Sequence, residues 1–368
     1  MDHSDWEEIA GGIYKKSLKV ARRSADKIPY SAVNGEFDDM TRENICWWTN
    51  GFYAGLLWQL YGAFGDQIFR DTAERIEEKL DKNLMTAQGM DHDSGFRWLL
   101  TAGANYRLTG SELSKNRLIL AATDLAGRFN PAGNFIRAWN DSGDGTTAGW
   151  AIIDCMMNLP LLHFASRELH DPRFSQIAVR HADTALSAFL RPDGSSCHIV
   201  EFDPCTGERL RSRGGQGYGH GSAWTRGQGW AIYGFTLSYL HTKDPRYLGA
   251  ARRVADHFLA HIPESGLIPI DFDQPEDTPE DSSASAIASC GLIELARATG
   301  RAEYRVCAEK LLLTLWEKRS DLREETDPIL TNCAIAYHNA LHGIPLIYGD
   351  YFFTEAILKL TGKETFLW

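Results

Sequence analysis

The apolar run GWAIIDCMMNLPLL, residues 149–162, contains a single charge, Asp154. An ionised carboxylate among Ile152, Ile153, Met156 and Met157 is costly unless it is paired or protonated. Such neighbours raise a carboxyl pKa, and a carboxyl that holds its proton near neutral pH is what general acid catalysis needs. A structural carboxylate, paired with an arginine or capping a backbone, is the alternative for the same residue. In a helical reading Asn158 lies one turn on and shares the face of Asp154, where it is placed to orient the acid. Pro160 cannot donate to the carbonyl of Met156, which predicts a kink or a free carbonyl there.

A second carboxylate, Asp93, sits in MDHDSGFRW (90–98), between His92 and a Ser-Gly pair at a predicted helix start. It either caps that helix or serves chemistry. Two carboxylates flanking a sugar suit glycoside hydrolysis, one as acid and the other as base or nucleophile. The second can instead bind a hydroxyl and favour a developing cation through its charge. Two further segments carry more side-chain chemistry than a structural helix needs, WWTNGFYAG (47–55) and GYGHGSAWTRGQGWAIYGF (217–235). The chain has eleven Trp and thirteen Tyr, several Trp standing beside Gly, Asn, Gln or Arg. Planar rings beside hydrogen-bonding groups suit sugars, although Trp also fills large cores.

Other function classes are excluded or disfavoured. A net charge of −11 with no long basic run argues against nucleic acid or an anionic membrane as partner. No HExxH motif, CxxC pair or Cys/His cluster indicates a metal, and no GxxxxGK[ST] loop indicates a nucleotide, so no cofactor is expected. No apolar stretch approaches the roughly 20 residues of a membrane span. The start, MDHSDWEEIA, does not read as a signal peptide. Seven scattered cysteines predict reduced thiols in the cytoplasm, a Cys197–Cys205 bridge being the alternative.

The elements that must position these residues are helical. Apolar periodicity predicts helices near 5–25, 50–64, 67–84, 96–108, 112–128, 148–168, 172–190, 226–241, 245–261, 283–298, 302–318 and 350–361, with strands confined to pieces such as SCHIVEF and GLIPIDF. The turns repeat: YGAFGDQIF, YRLTGSEL, RELHDPRF, LHTKDPRY and ARATGRAEY each stop one helix with Gly or Asp and open the next. Five hairpins follow, and pairing the first helix with the last makes a sixth. The expected fold is therefore an all-α (α/α)6 toroid, one catalytic domain over 1–368, with the longer links before the inner helices gathered at one mouth. An open α-solenoid is the structural alternative.

The segments WTNGF, HDSGF, D-x-x-x-N-L-P, SAWTRGQGW, DTPEDSSASAIA (277–288) and YGDYFFTEA (348–356) together resemble the unsaturated glucuronyl hydrolases of glycoside hydrolase family 88, over about residues 40–355. The resemblance implies an (α/α)6 toroid acting on oligosaccharides left by polysaccharide lyases. It assigns Asp154 as general acid/base and Asp93 as the second essential carboxylate. It places Trp48, His92, Trp139, His198, Gln216, Trp224, Arg226 and Trp230 in the sugar pocket. Arg226, His198 and Gln216 are then candidate donors to the substrate carboxylate, and Trp139, Trp224 and Trp230 candidate stacking walls. The implied reaction protonates C4 of the unsaturated uronide and hydrates C5. Rival readings are an unsaturated rhamnogalacturonyl hydrolase acting on pectin fragments, a sugar epimerase on the same toroid, and a non-catalytic sugar-binding protein. Family members that prefer sulfated fragments carry Lys and Ser before the GDY stretch, where ALHGIPLIYGDY places Leu341 and Pro345.

Overall fold

The computed structural model describes residues 3–140 and 145–368. Twelve long helical segments form two rings. The inner ring comprises Phe52–Phe64, the segment 94–109, Leu159–Leu169, Thr225–Thr242, Ser282–Thr299 and Ile347–Thr361. Each packs on the next, and Ile347–Thr361 returns to Phe52–Phe64 to close the circle. These helices are buried nearly all round: every residue of Ile347–Thr361 is buried. The outer helices are His3–Arg23, Gln67–Leu84, Glu112–Gly127, Pro172–Ala188, Pro245–Ala260 and Ala302–Arg319. They bury one stripe, as Phe69, Ala73, Ile76 and Leu80 do in Gln67–Leu84. The fold is the expected (α/α)6 toroid, with His3–Arg23 packed on Ile347–Thr361 as the sixth pair.

The repeated turns have one physical basis. Every inner helix ends on a left-handed residue: Gly65, Gly110, His170, Lys243, Gly300 and Gly362. Where Asp-Pro follows, the aspartate caps the outer helix, Asp171 accepting from the N–H of Arg173 at 3.0 Å and Asp244 from that of Arg246 at 2.9 Å. One hydrophobic cluster runs from Trp6 to Trp368 and takes in all twelve helices.

Two segments differ from the periodic reading. Residues 94–109 are interrupted by a π turn, Leu99–Gly103. Residues 148–168 are not one helix. Trp150–Ile152 is the edge of a three-stranded antiparallel sheet with Ile199–Phe202 and Arg209–Arg213, Ile153–Met157 is a 3-10 turn, and the helix begins at Leu159. Pro160 explains the break: lacking an N–H, it fits the first turn of a helix but not an interior. The expected kink is thus a helix start.

Candidate active site

The links that precede the inner helices converge on a cavity of about 650 Å³ at one mouth of the toroid. Two motif glycines let the backbones meet beneath it. A Cβ on Gly51 would lie 2.1 Å from the carbonyl oxygen of Phe96, and one on Gly95 would lie 2.7 Å from Asn158 Oδ1. WTNGF, HDSGF and the Asn-Leu-Pro segment are therefore in direct contact.

Asp93 occupies the N-cap position of Ser94–Trp98, yet its side chain makes no capping bond. Its backbone N–H donates to Asp91 Oδ1 at 2.9 Å, and Asp91 is in turn held by Arg97 at 2.5 Å. The Asp93 carboxylate instead lines the cavity, with His92 Nε2 3.3 Å from Oδ2 and Asn158 Nδ2 3.3 Å from Oδ1. Burial opposes a charge on His92, but Asp93 overrides it and, with the Cys155 thiol, holds the imidazole pKa well above its usual value.

Asp154 is fixed by the sheet rather than by a helix. Ile152 pairs with Ile199, and the N–H of Ile153 donates to the carbonyl of His198 at 3.0 Å. Asp154 Oδ1 is buried with no hydrogen-bond partner among the described residues. Burial first, and then the charge of Asp93, push its pKa up to about 7 against the opposing pull of His92 and Arg226. Asn158 does not orient this carboxyl as the helical reading expects. Its amide reaches the backbone carbonyl of Asp154 at 3.2 Å, because a 3-10 turn and not an α-helix separates them.

His198 and Gln216 also line the cavity. His198 Nδ1 meets the N–H of Gln216 at 3.0 Å and the carbonyl of Gly214 at 3.3 Å; the shorter contact favours Nδ1 as acceptor, with the proton of a neutral ring on Nε2. Burial keeps His198 neutral, its pKa pushed down to about 3. Arg226 lines the cavity, and three of the five N–H groups of its guanidinium are bonded within the protein: Nη1 donates to Asp281 and to the carbonyl of Ala334, both at 2.5 Å, and Nη2 to the carbonyl of Ile335 at 2.6 Å. It stands in the expected pocket, and its charge acts on Asp154 there.

Trp48 and Trp139 line the cavity, Trp139 with 40% of its surface exposed. Trp224 and Trp230 do not, contrary to their reading as stacking walls. Trp224 lies one layer back, 4.1 Å from the His198 ring and under the Arg226 guanidinium at 4.6 Å. Trp230 is core, packed on Phe96 and Phe352. Trp224 precedes and Trp230 belongs to the inner helix Thr225–Thr242, where large aromatics fill volume. Sequence reasoning missed Tyr30, Trp47 and Tyr348 in the lining. Tyr348 stands 5.0 Å from Trp48. Its segment, YGDYFFTEA, carries the signal, whereas nothing local marks Tyr30, which the N–H of Ile347 ties to the last inner helix at 3.0 Å.

The family model described as Glycosyl Hydrolase Family 88 matches residues 20–352. The chain belongs to this family. It is a glycoside hydrolase, and its relatives bear out the toroid. An unsaturated glucuronyl hydrolase of Bacillus sp. (strain GL1) is 33% identical over 99% of this chain and 98% of its own length. A crystal structure of the unsaturated glucuronyl hydrolase responsible for the degradation of glycosaminoglycan from Bacillus sp. GL1 superposes with a TM-score of 0.90 at 31% identity, covering 98% of this chain and 97% of that one. A variant of the unsaturated glucuronyl hydrolase from Streptococcus agalactiae, complexed with dGlcA-GalNAc6S, gives a TM-score of 0.83 at 27% identity, covering 100% of this chain and 94% of that one. Within the family 88 frame, Leu341 and Pro345 are not among the cavity-lining residues; Leu341 is 59% exposed. No helix among the described residues is long and apolar enough to cross a membrane.

Proposed function

We propose that residues 1–368 act as one catalytic domain that releases Δ4,5-unsaturated glucuronic acid from the non-reducing end of small lyase-generated oligosaccharides. The observation that carries this reading is Asp154: a carboxyl whose buried oxygen lacks a partner, pushed up to about 7, beside a second carboxylate in a sugar-sized cavity.

The substrate is an enol ether, and its C4=C5 bond is the basic site. Protonated Asp154 delivers its proton to C4, which leaves oxocarbenium character at C5. Water adds at C5 while the resulting Asp154 carboxylate takes a proton from it, so the acid is restored. The product hemiketal opens, the anomeric link breaks down, and the neighbouring sugar leaves. Asp93, held by His92 and Asn158, binds sugar hydroxyls and its charge favours the developing cation. His198 Nε2–H and the Gln216 amide donate to the substrate carboxylate, with the fixed charge of Arg226 behind them. Trp48 and Trp139 supply stacking faces.

The names of the relatives favour the glucuronyl over the rhamnogalacturonyl reading. Leu341 and Pro345 offer no cation, which favours an unsulfated neighbouring sugar. Unpaired cysteines at all seven positions support a cytoplasmic setting. The test is a panel of lyase-generated disaccharides, followed by loss of the ultraviolet absorbance of the conjugated double bond. Loss with an unsaturated glucuronide is expected; activity on saturated sugars alone overturns the reading.

A further inference from the structure

Outside the cavity, one face of the three-stranded sheet carries side chains that the proposed reaction does not use. Strand pairing sets Trp150 opposite Glu201 and Glu201 opposite Arg211; the next row on the same face is Ile152, Ile199 and Arg213. The contacts agree with this register. Nε of Arg211 and Nε of Arg213 each donate to Glu201 Oε2 at 2.8 Å, and the Arg213 guanidinium lies over the Trp150 ring at 4.8 Å. The face is continuous with the cavity. Ile152 lines the cavity wall, and Trp150 stands about 7 Å further out along the same strand. Its ring is 5.7 Å from that of Trp139, the exposed indole of the cavity lining. Two guanidiniums share one carboxylate here, so the face keeps a net positive charge on a chain whose net charge is −11. Glu201 engages Nε and Nη2 of both arginines, whereas Nη1 of each has no hydrogen bond among the described residues.

We infer that this face is an outer subsite, where Trp150, Arg211 and Arg213 bind the third sugar of a longer fragment through its carboxylate. The inference rests on the reaction proposed above and extends it outward. A lyase cuts beside a uronate, so a polymer in which uronate alternates with a neutral sugar yields fragments with a carboxylate on every second residue. The first is the unsaturated sugar beside Asp154, and the third is an intact uronate. The chain leaves the cavity over Trp139 and brings that third sugar to Trp150. A uronate offers C–H groups to an indole face and two oxygens to a guanidinium, which is what this face presents side by side. Glu201 already fixes both guanidiniums, so little side-chain freedom is lost when the sugar arrives. A sulfate ester on the second sugar is the competing source of such an anion.

The test is the ratio of kcat/KM for an unsaturated tetrasaccharide of hyaluronan, an unsulfated alternating polymer, to that for its unsaturated disaccharide. In the wild type the ratio should be about five and should fall as salt is added. Arg211→Met, which leaves Arg213 to hold Glu201, should lower the ratio about threefold, and Arg211→Glu should lower it further. A wild type without preference for the tetrasaccharide, or an equal ratio in folded R211M, overturns the inference. Two further probes identify the anion. An unsaturated tetrasaccharide with a neutral third sugar should show no advantage that depends on Arg211; the same dependence there refutes the carboxylate. An advantage of a 6-sulfated over an unsulfated disaccharide that R211M abolishes assigns the face to sulfate and likewise overturns the inference. Should the wild type turn over no unsaturated uronide, the proposed reaction fails, and calorimetric titration of the same two hyaluronan fragments into wild type and R211M decides the face. Tighter binding of the tetrasaccharide that is lost in R211M upholds it, and equal binding refutes it.

Discussion

Asn158 joins the two acidic segments: its Nδ2 donates to Asp93 Oδ1 at 3.3 Å and to the carbonyl of Asp154 at 3.2 Å, while its Oδ1 accepts the N–H of Phe96 at 2.8 Å. One side chain thus sets the relation of the inner segment that carries Asp93 to the turn that carries Asp154. Asn158→Ala leaves the buried N–H of Phe96 unpaired, a loss of about 1–3 kcal/mol readable as a lowered Tm. Misplacing the two carboxyls should also lower kcat on the order of 100-fold. Unchanged kcat in the folded variant removes Asn158 from the positioning of the site.

Asp154 ties stability to pH. Its folded pKa, about 7, lies above the unfolded 3.8, so its contribution is full below about pH 4 and is lost as pH rises through about 7. Asp350 is also pushed up to about 7 by burial and adds a parallel slope, so the difference between wild type and Asp154→Asn isolates the term. The variant should be inactive, yet gain stability relative to wild type as pH rises from about 4 to 8, by at most about 4 kcal/mol. Denaturant titrations across this range check it; a difference independent of pH contradicts the buried acid.

The same ionisation should appear as the alkaline limb of kcat/KM, near pH 7. The negative charge of Asp93 helps to raise Asp154. Asp93→Asn should therefore move the residual activity's alkaline limb to lower pH, besides reducing its height. A limb that stays in place would mean that the two carboxyls do not sense each other.

Arg226 and Asp281 are both buried, and their pair is bonded on through the carbonyls of Ala334 and Ile335. Arg226→Met strands the carboxylate of Asp281 and should cost about 3–5 kcal/mol by chemical denaturation. If Arg226 were a free ligand of the substrate carboxylate, the same change would raise KM and leave stability intact.

Much of this architecture is legible in the sequence because its code is local. Helix periodicity and the left-handed stops at Gly65, Gly110, Gly300 and Gly362 need no knowledge of distant residues. The reading of 148–168 as a helix fails because the partner of Trp150–Ile152 lies at Ile199–Phe202, and pairing across that separation outweighs local preference. Within the site, Asp154 and Asp93 stand out as charges in apolar or cap positions. Trp224 and Trp230 mislead because an indole in a buried helix reads alike whether it faces a cavity or the core. Tyr30 escapes for the opposite reason, since only the bridge of Ser31 to Leu346 brings it to the site.

The contact of Trp48 with Tyr348 spans almost the whole chain. Five of the six hairpins can assemble as the polypeptide leaves the ribosome, each on its predecessor. The wall of the cavity cannot, because one of its two adjoining rings is carried by the last inner helix. A nascent chain therefore acquires most of its helices well before it acquires a closed pocket, and the enzyme's chemistry is switched on by the docking of its final element.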